Sequence, residues 1–217
     1  MDFQPEIPER DYRPIQPEPG WRAWARRIWA PVVAIAGLAA KFGVAAAKFW
    51  TIFAAIGGYT LIWGWRFAVG MVGLILVHEL GHYFEARRRG LQPDLPVFRL
   101  LGAYVRIRNP HMTPWQSFWV SYAGPFWGSV GAAIVWLVGE QQHSQLLQAL
   151  GYLGFLLNLF NMIPIGFLDG GSLARAIRTM RVGGTPNKAL FAGFLYVALA
   201  GLLVLGMLAA YVPQHRV

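Results

Sequence analysis

Cysteine is missing from this chain of 217 residues. Its absence excludes structural disulfides, thiolate zinc sites and a cysteine nucleophile, and leaves the redox compartment unmarked. Charge is scarce as well: 13% of residues are charged, about half the usual share for a soluble domain. Of only ten acidic residues, five (Asp2, Glu6, Glu9, Asp11 and Glu18) fall within the first 20 positions, so the body of the chain has few carboxylates to place. Apolar residues fill the composition instead, at 56%. A soluble domain of this length cannot bury so much apolar surface. The lengths of the apolar runs favour lipid over the competing reading, a soluble helical bundle with an outsized core. Ten tryptophans and fourteen phenylalanines, many near the ends of those runs, suit rings anchored at a lipid–water interface. The formal charge of +9 is spread in short clusters between apolar runs, as in a positive-inside membrane protein. A lipid bilayer, and no nucleic acid, is therefore the expected partner.

Residues 1–20 contain five prolines and read as a disordered, proline-rich tail. Their acidic character gives no expectation of a cleavable leader. Residues 21–48 open with Trp21, Arg22, Trp24, Arg26 and Arg27 and carry Lys41 and Lys48 on one helical face, which predicts an interfacial or amphipathic helix rather than a span. The core is expected at 49–212. It reads as an all-α polytopic membrane protein with about five transmembrane helices, at about 49–64, 67–86, 115–138, 146–168 and 189–211. Between the second and third spans, VFRLLGAYVRIRN (97–109) follows Pro93 and Pro96. Partial alternation and Gly102 predict a short membrane-associated strand or hairpin there, with a surface loop as the other reading. The link holding it, about 28 residues, is too short for an independent inserted domain. Five spans with a cytoplasmic N-terminus place only Arg66 and Arg216 on the far side and every other arginine and lysine on the near one. A multi-pass protein of the cell membrane with a cytoplasmic N-terminus is the expected arrangement.

His78-Glu79-Leu80-Gly81-His82 puts two imidazoles four positions apart, on one face of a helix where both can reach one ion. Glu79 adjoins the first of them and can take a proton from water activated by zinc, which makes it the candidate catalytic base. Glu79 and Glu85 are the only acidic residues inside the expected spans. Ionisable groups at that depth normally mark function, although histidines can also serve helix–helix hydrogen bonds. Asp169, in NMIPIGFLDGG (161–171), is the candidate third ligand. Pro164 disfavours helix and the neighbouring glycines permit turns, so a broken helix is expected to present Asp169 inward. A helix cap or surface turn is its plainer reading. His78, His82 and Asp169 would hold one Zn2+ per chain and leave a coordination position open, as catalytic zinc requires. His111, His143 and His215 lie outside the expected spans and are assigned no part.

With these motifs the chain resembles the site-2 protease family of intramembrane zinc metalloproteases. HELGH at 78–82 is similar to the family's zinc-binding helix and NMIPIGFLDGG to its second motif, which implies the third-ligand role for Asp169. GAYV (102–105) resembles the family's membrane-associated β segment, and AGP (123–125) the start of another motif that usually continues with small residues and an asparagine, where this chain has FWGS. The resemblance implies a zinc-dependent metalloendopeptidase that cuts a transmembrane segment of a membrane-protein substrate within or beside the bilayer. The expected topology, with His82 and His78 four and eight residues before Ala86, puts the cut near the cytoplasmic face. The resemblance also implies that Asn161 orients substrate or supports the aspartate loop. Asn158 could share that work, and hydrogen bonds between spans are the plainer reading of both asparagines. Substrate choice is expected to rest on the core, residues 21–48, the tail or a separate regulatory or adaptor protein. The alternative is a non-proteolytic metal-binding membrane protein or carrier. A carrier would show polar stations across the membrane, and a purely structural zinc site needs no Glu79.

Overall fold

The computed structural model describes residues 20–99, 102–107 and 111–211. The tail expected at 1–20 lies outside them, apart from Gly20, as does His215. The chain falls into two compact units, 1–44 and 45–217. Helix α1 (Gly20–Trp63) supplies the described part of the first. It continues without a break at residue 48, where the interfacial helix was expected to end, because Ala45, Ala46 and Ala47 are strong helix formers. Beyond it the second unit contains α2 (Trp65–Arg88), β1 (Val97–Arg99), β2 (Gly102–Tyr104), α3 (Pro114–Gln141), α4 (Gln145–Asn161), α5 (Asp169–Val182) and α6 (Pro186–Ala209). Gly64 separates α1 from α2 at φ 81°, a left-handed conformation that glycine adopts without a Cβ clash.

Three of these helices, α2, α3 and α6, are long and apolar enough to cross a membrane. The other two expected spans are shorter. The apolar stretch within α1 is Thr51–Leu61, and α4 has 17 residues, about 26 Å at helical rise. The expected fourth span ran to 168. The chain leaves the helix at Met162 instead, because Pro164 lacks an amide and disfavours helical geometry at Ile163.

Glycines set the register of the bundle. Gly70 meets Leu150, Leu74 meets Gly154 and His78 meets Asn158, so α2 and α4 run parallel. Against both runs α3, with Ala123 on Gly81, Gly128 on Asn158, Ala132 on Gly154 and Trp136 on Gly151. Helix α6 is antiparallel to α4: Gly206 lies on Phe155, and the Tyr196 hydroxyl donates to the Met162 carbonyl. The central helix is α3, which packs on α2, α4, α5 and α6. It begins in a capping box, with Thr113 and Gln116 each satisfying the other's backbone amide. Such small-residue contacts suit helices that meet in lipid, where close packing rather than water exclusion draws them together.

The strand expected within 97–109 is present as an antiparallel hairpin pairing Val97 with Tyr104, Phe98 with Ala103 and Arg99 with Gly102. It is tied to the helices. The Phe98 amide donates to Thr51 Oγ1 at 3.1 Å, and the Phe98 ring is buried with Ala55, Tyr59, Val72 and Ile75.

The glycine contacts are testable. A Cβ at Gly151 would stand 2.5 Å from Cβ and 2.8 Å from Cα of Trp136, and backbone cannot yield as a side chain does. Gly151→Ala should therefore destabilise the bundle by about 1–3 kcal/mol. Gly201→Ala, which meets nothing within 4 Å, should be neutral or stabilise α6 by up to about 1 kcal/mol. Unfolding in detergent distinguishes the two.

Candidate metal centre

On α2, His78 and His82 lie one turn apart, edge to face, with ring centroids 4.8 Å from each other and planes at 80°. Their Nε2 atoms are 3.1 Å apart. Asp169 Oδ2 lies 3.1 Å from Nε2 of His78 and 3.3 Å from Nε2 of His82. Both histidines and Glu79 are buried, and the three converging side chains come from two parts of the sequence 91 residues apart. The parallel register of α2 and α4 makes this meeting possible, since both helices deliver their C-terminal ends to one end of the bundle. Among the described residues no other group of His, Asp and Glu side chains is placed to share an ion. His111 and His143 belong to none.

The remaining ring nitrogens are already committed. Nδ1 of His78 lies 2.8 Å from Asn158 Oδ1, and Nδ1 of His82 lies 2.7 Å from the Val120 carbonyl oxygen. Both partners can only accept, so both Nδ1 atoms carry the hydrogen and donate it. A neutral imidazole held this way presents Nε2 as a lone pair. Three acceptors, two imidazole nitrogens and one carboxylate oxygen, thus converge. Such a set is answered by a cation, and its composition suits zinc. The residues present fit the metal that the motifs imply.

Asp169 reaches this point through residues 162–168. The helix break expected from Pro164 occurs there, and Asp169 becomes the first residue of α5. Several contacts hold the connecting loop. Gly170 and Gly171 lie directly on the carbonyls of Met162, Ile163 and Ile165, where any Cβ would overlap them. Arg175 donates to the Gly166 carbonyl at 3.3 Å and to Ser172 Oγ at 2.9 Å. On the other side of the histidines, a Cβ at Gly81 would come within 2.5 Å of the Ala123 carbonyl oxygen, and one at Gly124 would overlap the His82 ring. The AGP segment is therefore the surface on which the histidine helix rests. In the FWGS that follows, Gly128 faces the amide of Asn158.

A cavity of about 810 Å³ opens beside the cluster, lined by His78, Glu79, His82 and Asp169, with Ala103 to Val105 along one wall and Asn161 in another. Asn161 therefore stands where a bound chain could touch it. Asn158 is buried instead against His78. Sequence reasoning did not identify the Asn158–His78 contact or the Val120 carbonyl. The first joins residues 80 positions apart, and the second is a backbone atom that any residue type would carry.

The sequence also has relatives among known proteins. A family model described as Peptidase family M50 matches residues 66–144 and 138–205. The chain is 30% identical over 165 residues to the protein named "Putative zinc metalloprotease sll0528" of Synechocystis, a match covering 70% of this chain and 43% of that protein. It is also 30% identical over 140 residues to "Putative zinc metalloprotease Rip3" of Mycobacterium tuberculosis, covering 59% of this chain and 36% of that one. It spans less than half the length of either relative. The family match includes the histidine helix from residue 66, the helix that supports it, the aspartate loop and α6 as far as residue 205, more than half of the chain. An integral membrane protein by its apolar helices, the chain belongs to peptidase family M50, the site-2 protease family.

Proposed function

We propose that this chain is the core of a zinc-dependent intramembrane endopeptidase, with His78, His82 and Asp169 holding one zinc and Glu79 as the catalytic base. The observation that carries the reading is the convergence of three acceptor atoms within 3.3 Å beside a buried carboxylate and an open cavity. When bound, zinc supplies Lewis acidity toward a peptide carbonyl and toward water. Glu79, adjacent to His78 on the cavity wall, takes a proton from the attacking water at its carboxylate and returns it to the departing amine nitrogen as the C–N bond breaks. His78 and His82 keep their Nδ1 hydrogens directed at Asn158 and Val120 throughout.

The substrate in this reading is a transmembrane helix. Its carbonyls are engaged in hydrogen bonds four residues apart, so a short stretch has to unwind before the carbonyl can be attacked. Within residues 102–105, Ala103 to Val105 line the cavity, and the segment can hold an extended stretch by backbone pairing, while Asn161 orients it. We place five spans across the cell membrane with the N-terminus cytoplasmic, α4 together with its following loop making the fourth. His82 and His78 lie four and eight residues before Ala86, a depth of about 6 to 12 Å from the cytoplasmic side. Residues 21–48, or a separate adaptor protein, select substrates. The carrier alternative has less support, because the described residues hold one polar metal cluster at one end of the bundle.

Metal analysis of the purified protein is expected to find one zinc per chain, lost on His82→Ala or Asp169→Ala and retained on substitution of His111, His143 or His215. A stoichiometry of two would refute the site. Glu79→Gln should keep the metal and lose cleavage by roughly 10²–10⁴-fold, since an amide cannot accept the water's proton. Undiminished cleavage would show that the base lies elsewhere. Mass spectrometry of a single-span substrate co-expressed with active or Glu79→Gln protein should place the cut within a turn or two of the cytoplasmic end of the span. Cuts confined to soluble loops or to the opposite face would refute the intramembrane reading or the topology.

A further inference from the structure

Asn158 is the one buried amide side chain of the bundle core among the described residues: it is 1% exposed and lies outside the cavity wall. A polar group so enclosed is expensive to keep unless it is fully bonded, and both halves of the amide are bonded. Nδ2 donates to the Gly154 carbonyl one turn earlier in α4, at 2.8 Å. Oδ1 receives the His78 Nδ1 hydrogen, also at 2.8 Å.

These two bonds are not independent. The Gly154 oxygen can only accept, so the nitrogen of the amide has to face it. That leaves Oδ1 facing His78, which places the ring hydrogen on Nδ1. The lone pair is then on Nε2, the atom directed at His82 and Asp169. A reversed amide would oppose two oxygens at Gly154 and hand its own hydrogen to Nδ1. The ring hydrogen would move to Nε2 and block the metal position.

The amide fits only because α3 makes room for it. A Cβ at Gly128 would overlap Asn158 Oδ1 and stand 2.8 Å from both Cγ and Nδ2. Gly154 in turn sits against Ala132, where a Cβ would approach to 2.7 Å, so neither helix can slide to relieve a larger residue at 128.

We propose that Asn158 is a positioning residue for His78, seated by Gly128, and that it sets zinc affinity by fixing the ring's tautomer and direction rather than by touching substrate. This rests on the zinc reading above. The carbonyl of Val120 does the corresponding work for His82, but only Asn158 can be altered by substitution.

Zinc affinity of the full-length protein in detergent, measured by chelator competition, tests the proposal. Asn158→Leu, similar in volume but with no acceptor, should weaken binding about 10- to 100-fold, the usual effect of removing a metal ligand's hydrogen-bond partner. Asn158→Asp keeps the acceptor for His78, although it loses the bond to Gly154, and should bind more tightly than Asn158→Leu. Gly128→Ala should weaken binding in the parent by displacing the amide, and add nothing in an Asn158→Ala background. Asn161→Ala should leave affinity unchanged whatever it does to cleavage. An independent readout is 15N NMR of histidine-labelled zinc protein, where His78 should carry its hydrogen on Nδ1. The reverse assignment overturns the proposal even if Asn158→Leu does not fold. Folded Asn158→Leu with affinity within about threefold of the parent, or Asn158→Asp as weak as Asn158→Leu, overturns it too. If the parent binds no zinc, or His78→Ala binds as the parent does, the zinc reading itself fails. A parent that binds through His78 alongside an unaffected Asn158→Leu removes only the positioning role.

Discussion

Three electron-rich atoms directed at one point, inside a bundle with few charges, make a demand that the surrounding structure is organised to meet. Nε2 of His78, Nε2 of His82 and Oδ2 of Asp169 lie 3.1 to 3.3 Å from one another. They repel unless a positive charge sits among them. The rest of the core keeps them facing inward, through Val120 behind one ring, Asn158 behind the other, and the loop from Met162 to Leu168 behind the carboxylate. In an apolar bundle such a group persists only if every outer hydrogen bond is made, and each ring has one.

Close helix approach is what brings those partners within reach. Ala123 and Gly124 of α3 rest on Gly81, within the histidine motif itself, and Gly128, four residues further on, leaves the space that Asn158 occupies. Pro125 removes from this region the amide that would bond the Ser121 carbonyl, one residue from the carbonyl that meets His82. Site and packing are therefore not separable along α3: the residues that let the helices touch are those that position the rings.

Much of the site can be read directly from the amino-acid order, because histidine and carboxylate stand out in apolar runs and the interval of four on a helix is unambiguous. Asp169 is legible through Pro164 and the glycines around it, and the hairpin through alternation and Gly102. The reading is less accurate where apolar composition continues past a backbone break. Ile163, Ile165, Phe167 and Leu168 extend the apparent fourth span although the helix has ended at Asn161. At residue 48, the end of the stretch read as an interfacial helix, the same helix continues into the apolar residues that follow. The contact between Asn158 and His78 has no local signature, since it depends on the register of two helices that only the folded bundle defines.

Helix α6 looks, from its composition, like an interchangeable membrane anchor: apolar beyond Lys188 and largely exposed along its length. Yet Tyr196 donates to the carbonyl of Met162, the residue at which α4 gives way to the aspartate loop, and Gly206 accommodates the ring of Phe155. For anyone transplanting or trimming this scaffold, α6 is accordingly not a generic tether. A polyleucine replacement would preserve insertion into lipid while removing the hydroxyl that holds the start of the loop. The last helix of the described chain thus takes part in holding a loop that leads into a different helix, and its packing on α4 reaches at least as far as Gly206.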